Sequence, residues 1–178
     1  PNFKVLTGTE TGDLLLWDGG LIEAIMSRRG GKPCHAGCVD VLVELNVPGW
    51  SPSFLSGGHD GYLRVWDRTA LLEMEVGEGS NRLEVEPTKE IFLGTGRKIT
   101  ALTVLPVGAG TRWLVQDASG ALLYVHYPES GQVSISEIMT FPAGGVTAIL
   151  PLPRRHRAIT ASANGAICVF DYRLKKRE

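Results

Sequence analysis

Gly12-Asp-Leu-Leu-Leu-Trp17-Asp18 and Gly61-Tyr-Leu-Arg-Val-Trp66-Asp67 are two copies of one pattern, a glycine followed by a short apolar run and a Trp-Asp pair. Two weaker copies follow, Gly120-Ala-Leu-Leu-Tyr-Val125-His126 and Gly165-Ala-Ile-Cys-Val-Phe170-Asp171, in which an apolar residue replaces the tryptophan. The leading glycines are 49, 59 and 45 residues apart. A pattern that recurs at such a period indicates a repeat architecture.

A repeat of about 40–45 residues that ends in Trp-Asp is typical of WD repeats, each of which forms one four-stranded blade of a β-propeller. The two longer intervals then contain loop insertions, whose entropic cost rises slowly with length. Propellers have about four to eight blades. The sequence therefore predicts an all-β fold, a WD40-type β-propeller fragment of about three to four four-stranded antiparallel blades from a larger protein. The predicted domain is residues 1–178, with blades at about 3–26 (partial), 35–94, 97–140 and 145–172 (partial).

Composition narrows the classes of partner. With 178 residues, of which 43% are hydrophobic and 21% charged, the chain has the balance of a globular protein. A net charge of −1 removes the overall electrostatic reason for binding nucleic acid. No apolar run of about 18 residues and no apolar leader occurs, so neither a membrane partner nor a signal peptide is expected. Three cysteines indicate a reducing compartment rather than a disulfide framework.

The second repeat carries a polar set that resembles a catalytic triad. Ser56 lies four residues before Asp60 and Trp66 lies six residues after it, while His35 precedes the first strand of the blade. In WD propellers these residue types at these spacings form a buried tetrad, in which the Asp accepts from the His, the His reaches the Ser hydroxyl and the Ser meets the indole N–H. Because an unpaired buried donor costs about 1–3 kcal/mol, we expect a structural tetrad and no catalytic residues.

The other repeats retain only parts of this set. The equivalent residues are Thr7, Thr11 and Trp17 in the first repeat, Val115, Ser119 and Val125 in the third, and Thr160, Asn164 and Phe170 in the last. The degenerate repeats should therefore depend on the packing of apolar strands more than on polar tetrads.

Three other motifs resemble ligand-binding motifs but lack the full pattern. Cys34-His35-Ala-Gly-Cys38 contains three possible zinc ligands, yet no second Cys or His pair follows at finger or ribbon spacing. Gly30-Gly31-Lys32 and Gly94-Thr-Gly96-Arg97-Lys98 do not match the phosphate-binding loop G-x-x-x-x-G-K-[ST]. We expect structural loops and turn glycines, with no metal and no cofactor.

Charged clusters have alternative interpretations. Arg154-Arg155-His156-Arg157 and the segment 173–177 could contact an acidic surface such as a tubulin tail, or could be a solvated loop and a chain end. Glu84, Glu86 and Glu90 alternate with apolar residues, which favours the solvated face of an outer strand over a pair of catalytic acids.

The stretches between the motifs indicate a particular family more specifically than the WD motifs themselves do. Four of them are Leu14-Leu-Leu-Trp-Asp-Gly-Gly-Leu-Ile22, Pro33-Cys-His-Ala-Gly37, Leu83-Glu-Val-Glu-Pro87 and Trp113-Leu-Val-Gln-Asp-Ala-Ser-Gly-Ala121. Together they resemble a family of WD-repeat cilia- and flagella-associated proteins, the larger WD-repeat subunit of the axonemal tether/tether-head complex of inner-arm dynein f. The resemblance extends over residues 5–172 in the same order.

This resemblance implies a non-enzymatic scaffold in the cytoplasm and cytoskeleton, at the axoneme of the motile cilium or flagellum. Its implied partners are a second WD-repeat tether subunit, inner-arm dynein and the doublet microtubule, and its implied role is to tether the dynein motor domain and so support motility. Two alternatives remain: a general WD40 protein-interaction adaptor in cytoskeletal assembly or trafficking, and an enzyme built on a propeller. The enzyme would need polar side chains that converge on the central channel.

Overall fold

The computed structural model describes residues 4–73, 80–105, 111–128, 132–141, 146–152, 156–173 and 176–177. They form two compact units, Pro1–Gly96 and Arg97–Glu178. Strands dominate both units, which confirms the all-β prediction, and the described part contains one short helix. In that part of the chain no helix is long and apolar enough to cross a membrane.

The first unit contains two four-stranded sheets. In chain order its elements are β1 (Lys4–Gly8), β2 (Leu14–Asp18), β3 (Leu21–Ser27), β4 (Val39–Leu45), β5 (Ser53–Gly58), β6 (Tyr62–Asp67), α1 (Arg68–Glu73), β7 (Arg82–Glu84) and β8 (Lys89–Phe92). The strand orders are β1-β2-β3-β7 and β4-β5-β6-β8. All pairings are antiparallel except that of β3 with β7, which is parallel.

The second unit also contains two four-stranded sheets. Its strands are β9 (Ile99–Leu105), β10 (Thr111–Asp117), β11 (Ala121–Tyr127), β12 (Ser134–Thr140), β13 (Val146–Leu152), β14 (Arg157–Ser162), β15 (Ile167–Asp171) and β16 (Lys176–Arg177). The orders are β12-β11-β10-β9 and β13-β14-β15-β16, with antiparallel pairing throughout.

Each of the four repeat glycines closes a four-residue turn between antiparallel strands. The turns are Thr9 to Gly12, Gly58 to Gly61, Asp117 to Gly120 and Ser162 to Gly165, and in each the glycine N–H donates to the carbonyl of the first residue, at 3.3, 3.3, 3.1 and 2.9 Å. The glycine φ angles are 95°, 77°, 90° and 83°. Because glycine has no Cβ, it adopts these angles without steric cost, which explains why it recurs at these positions.

The carbonyl groups of three turn glycines accept a second recurring bond. Gly12 accepts from the N–H of His35 at 2.9 Å, Gly61 from Leu93 at 2.9 Å and Gly120 from Phe141 at 2.8 Å. Each donor lies in the segment that follows the last sequential strand of its repeat, so this bond joins the turn to the exit of the repeat.

The core of the first unit lies between its two sheets. It includes Leu14, Met26, Trp66 and Leu83, all less than 5% exposed. In β2 the buried residues Leu14 and Leu16 alternate with less buried ones, as expected of a strand with one face on a core.

Helix α1 was not predicted, because six residues are too few to show helical periodicity. The side chain of Asp67 caps it, accepting from the N–H groups of Thr69 at 2.8 Å and Ala70 at 3.1 Å. Leu71 then packs into the core. The sequence Gly77-Glu-Gly-Ser-Asn81 predicts a loop, and residues 77–79 lie outside the described residues.

Strand β7 corrects the predicted boundaries. Its residues lie within the predicted second blade, 35–94, but pair with β3 of the first sheet, where Met26 is opposite Leu83. The reason is burial, since Leu83 is only 4% exposed on the core of the first unit. Glu84 and Glu90 therefore belong to the outermost strands of two different sheets rather than to one strand, whereas the predicted exposure of Glu84, Glu86 and Glu90 is confirmed.

Candidate functional site

The structure brings His35, Ser56, Asp60 and Trp66 together. The loop before β4 contributes His35, β5 contributes Ser56, the following turn contributes Asp60, and β6 contributes Trp66. His35 Nδ1 lies 2.9 Å from Asp60 Oδ1, and His35 Nε2 lies 2.7 Å from Ser56 Oγ. The indole N–H of Trp66 donates to Ser56 Oγ at 2.8 Å. One tautomer satisfies all four groups, with Nδ1–H donating to Asp60 and Nε2 accepting the Ser56 proton.

Burial decides what this set can do chemically. Ser56 is 0% exposed, and His35 and Trp66 are each 1% exposed. The Ser56 oxygen already accepts from the indole N–H, and its proton is directed to His35. A nucleophilic serine must reach a substrate carbon, but this hydroxyl is completely buried. The arrangement can therefore join β5, β6 and the loop before β4, and glycine at position 58 makes room for it, since a Cβ there would lie 2.5 Å from His35 Nδ1.

The same contacts shift the pKa values of His35 and Asp60. Burial lowers the pKa of His35 below its ordinary value, although Asp60 opposes this effect. Burial alone would raise the pKa of Asp60, but hydrogen bonds from His35 and Arg64 hold it well below its usual range. Asp60 also accepts from the N–H groups of Ala36 and Tyr62, at 3.1 and 3.2 Å. The carboxylate is thus ionised and fully paired.

Sequence reasoning missed Arg64, which extends this set into a chain of charges. Its side chain is 6% exposed and bonds to Asp60 at 2.7 Å and to Glu90 at 2.8 Å. Arg28, which directly follows β3 of the other sheet, lies 3.0 Å from Glu90 and 3.2 Å from Glu86. The sequence did contain an indication of this role. Arg64 lies within the apolar run of the second repeat, where a buried charge without a partner would be destabilising.

The degenerate positions are occupied differently in each repeat. In the first, the indole N–H of Trp17 donates to Thr7 Oγ1 at 2.8 Å. In the last, Thr160 donates to the carbonyl of Cys168 at 3.5 Å, and the Asn164 side chain accepts from the N–H of Ala166 at 3.0 Å. Phe170 is fully buried in the second unit's core.

In the third repeat the relevant residue is Asp117, which was also missed. Its carboxylate accepts from the N–H groups of Ser119 and Ala121, both at 3.0 Å, and from Arg97 at 2.6 Å. It is 2% exposed and organises the turn in place of a tetrad. A signal was present, because Asp at the first position of a turn often bonds to the backbone two residues on.

The structure separates the three donors of the Cys34-His35-Cys38 motif. Cys34 is buried and donates to the carbonyl of Met26 at 3.4 Å, and burial raises the pKa of its thiol to about 12. His35 is directed to Ser56 and Asp60, as described. Cys38 instead donates to Asp40 Oδ1 at 2.9 Å, and this bond raises its pKa to about 11.

The remaining sequence motifs are placed as follows. Gly30, Gly31 and Gly96 lie in turns with positive φ. Of the basic clusters, residues 154–155 and 174–175 lie outside the described part of the chain.

Comparison with known proteins identifies the family. No family model matches the chain. A protein of Chlamydomonas reinhardtii named cilia- and flagella-associated protein 44 is 39% identical over 176 residues, which is 97% of this chain. The chain is a homologue within the cilia- and flagella-associated protein 44 family. The resemblance inferred from the four stretches is thus confirmed at the level of the family, whereas the role as a WD-repeat tether subunit stays a prediction.

Other members of the cilia- and flagella-associated protein 44 family match over a similar extent. The protein of Mus musculus is 29% identical over 178 residues, and that of Trypanosoma brucei brucei is 29% identical over 198 residues, covering 98% and 95% of this chain. The chain spans about a tenth of the length of these curated relatives, between 9% and 11%.

Proposed function

We propose that this chain is a non-catalytic WD-repeat segment of a scaffold protein in the axoneme of motile cilia and flagella. The observation that carries the proposal is the match over nearly the whole chain to proteins named for cilia and flagella in three distant organisms. The buried Ser56 hydroxyl supports the non-catalytic part, because the triad-like set is used internally.

The WD40-type propeller fragment belongs to the same proposal. Four sheets of four strands, each with a repeat glycine in an equivalent turn, are what blades require. A scaffold benefits from such blades, because radial repetition leaves short, protected strand edges and presents loops on broad faces.

At finer detail, we propose that the whole protein tethers inner-arm dynein to the doublet microtubule beside a second WD-repeat subunit. The support is the resemblance of the four inter-motif stretches to the tether/tether-head family. A tether must transmit force, and a packed β-rich segment suits that role because close-packed interiors have low compressibility.

The test is localisation and rescue with the full-length protein in a ciliated cell. A tagged protein should form an axonemal band, and disruption of its gene should remove inner-arm dynein f from isolated axonemes and impair beating. A uniform cytosolic signal with no axonemal band would contradict the proposal and favour a general WD40 adaptor.

A second rescue separates a scaffold from an enzyme. Full-length Ser56→Ala should restore motility in proportion to the amount of protein that reaches the axoneme, because the substitution removes only the buried hydrogen bonds of Ser56 with His35 and Trp66. Normal axonemal abundance together with lost motility would show that the Ser56 hydroxyl performs chemistry, and the non-catalytic proposal would be wrong.

A further inference from the structure

A second polar cluster lies at the end of the β4–β5–β6 sheet, outside the buried set. It comprises Cys38, Asp40 and His59, whose donor atoms all lie within 4.8 Å of one another. Asp40 lies between the other two, with Oδ1 at 2.9 Å from Cys38 Sγ and Oδ2 at 2.6 Å from His59 Nε2. The cluster therefore presents one sulfur, one nitrogen and one carboxylate donor at a single point.

Strand geometry explains why these residues meet. Cys38 directly precedes β4, and Asp40 lies at a register shift between Val39 and Val41, with the buried Val39 between the two partly exposed residues. The register of β4 with β5 pairs Val39 with Gly58, which places His59 beside Cys38. The N–H of His59 donates to the carbonyl of Cys38 at 2.9 Å and fixes this juxtaposition.

We propose that Cys38, Asp40 and His59 form a binding site for a zinc-class transition-metal ion, with the fourth position open to water. Thiolate, imidazole and carboxylate are the three ligand types that Zn²⁺ takes from proteins, and three protein ligands with an open position is a known arrangement. The thiol proton leaves to solvent when the ion binds, because the ligand is the thiolate.

The distances allow the ion to enter without movement of the backbone. In a tetrahedral zinc site the ligand atoms are about 3.4–3.6 Å apart, given zinc–ligand bonds of about 2.0–2.3 Å. The two contacts to Asp40 are shorter than this separation and the widest pair of donor atoms is up to 4.8 Å apart, so the side chains must rearrange by roughly 1 Å. They have room to do so, since the side chains of His59 and Asp40 are 34% and 32% exposed.

The local charge favours a cation. The charged groups that act on the Cys38 thiol are the carboxylates of Asp40 and Glu10, the latter from the β1–β2 turn. Partial exposure also gives the ion a path from solvent, which the buried Cys34 and His35 do not offer.

The test uses the full-length protein, first stripped of metal with a chelator and then titrated with Co²⁺ and with Zn²⁺. Co²⁺ bound to a thiolate gives a ligand-to-metal charge-transfer band, so the difference spectrum between wild type and Cys38→Ser isolates this site. We expect Cys38→Ser to lose one equivalent of the band, and His59→Gln and Asp40→Asn to weaken binding at this site at least about tenfold.

Cys34→Ser is the matched control, since it removes the other cysteine of the same loop and keeps a donor for the Met26 carbonyl. It should retain the band and the Zn²⁺ affinity. Amide exchange across β4 and β5 should be unchanged in Cys38→Ser, His59→Gln and Asp40→Asn, because all three residues are at the surface. Equal bands in wild type and Cys38→Ser, or equal Zn²⁺ affinity in wild type and His59→Gln, would show that the cluster is only a surface ion pair.

Discussion

At the scale of single residues, Trp66 is where the polar set joins the apolar core. Its indole N–H satisfies Ser56 while its ring is buried against Phe54, with centroids 6.2 Å apart. Trp17 makes the equivalent bond to Thr7 but is only half-buried. The same substitution at the two positions therefore shows how burial changes the contribution of this hydrogen bond to stability.

We expect Trp66→Phe to lower the local free energy of unfolding by about 1–3 kcal/mol, because a buried hydroxyl loses a partner and the smaller ring leaves a void. Trp17→Phe should cost less, since water can reach its Thr7 partner. Amide exchange of β5 and β6 peptides in the full-length protein measures the first effect, and that of β1 and β2 measures the second. Equal losses at both positions would contradict this account.

His35 and Asp60 give the first unit a defined response to acid. The pKa of His35 is lowered by burial, so the unfolded chain binds a proton at a higher pH than the folded one. Stability is therefore complete above the ordinary value of 6.5 and decreases as the pH falls below it. The lowered pKa of Asp60 adds a further loss below its ordinary value of 3.8.

We expect protection of β5 and β6 amides, corrected for intrinsic exchange, to decrease between pH 7 and pH 5, and His35→Gln to flatten this slope. The β10 and β11 peptides of the second unit serve as an internal control, because the substitution should leave their pH dependence unchanged. An unchanged slope for β5 and β6 in His35→Gln would assign the acid response to another group.

At the scale of elements, the β1–β2 turn shows how closely two segments approach. Gly12 has φ of 95°, and a Cβ there would lie 1.8 Å from the carbonyl oxygen of His35. Gly19 has φ of 57° with open space around it. The two glycines share a left-handed backbone but differ in their surroundings.

Gly19→Ala should cost about 1–2 kcal/mol, the strain of a left-handed residue with a side chain. Gly12→Ala should cost more, because the turn must also separate from the loop and lose the hydrogen bond from the N–H of His35. Exchange of the β1, β2 and β4 amides in the full-length protein would rank the two variants. A Gly12→Ala loss no greater than that of Gly19→Ala would show that the loop moves freely.

Strand β7 is held by both apolar and charged contacts. Leu83 packs in the core, whereas Glu86 accepts from Arg28 and from the N–H of Arg29 at the surface. Burial should dominate, since exposed ion pairs contribute little.

We therefore expect Leu83→Ala to destabilise the pairing of β7 with β3 by about 2–5 kcal/mol, and Glu86→Gln to have a small effect that disappears at high salt. Limited proteolysis of the full-length protein between residues 74 and 87 reports detachment of this strand. Faster cleavage in Glu86→Gln than in Leu83→Ala would mean that charge, not burial, holds β7.

Local patterns predicted those elements whose information is local. The repeat phrases predicted the turns because a positive φ requires glycine at one position, and they predicted an all-β chain because apolar runs of strand length recur. Strand β7 escaped prediction because its three residues carry no periodicity and pair with a strand far away in sequence. Likewise, Cys38 and His59 meet only through the register of β4 with β5, which no spacing rule shows.

At the scale of the whole molecule, open strand edges set the behaviour of the isolated chain. Within the described residues β1 pairs on one side only, and its Val5 is 53% exposed. An exposed apolar edge is a template for pairing with another chain.

We expect the isolated chain of 178 residues to self-associate, and Val5→Lys to reduce this association because a lysine discourages edge pairing. Leu72→Lys is the control. It also replaces an exposed apolar residue with lysine, but Leu72 lies in helix α1 and not at the edge of a sheet. Light scattering after size exclusion gives the mass of each variant. A monodisperse wild-type chain with a cooperative melting transition would contradict this prediction.

The hydrogen bond from the exit of a repeat to the carbonyl of its turn glycine has an evolutionary consequence. It uses only backbone atoms, and its donors are a histidine, a leucine and a phenylalanine at positions 35, 93 and 141. A repeat can therefore lose its histidine by mutation and keep the connection that shapes the turn. The repeats can therefore diverge in sequence as long as the turn glycine is kept. Among homologues of this chain, we expect the repeat glycines to be more conserved than the tryptophans.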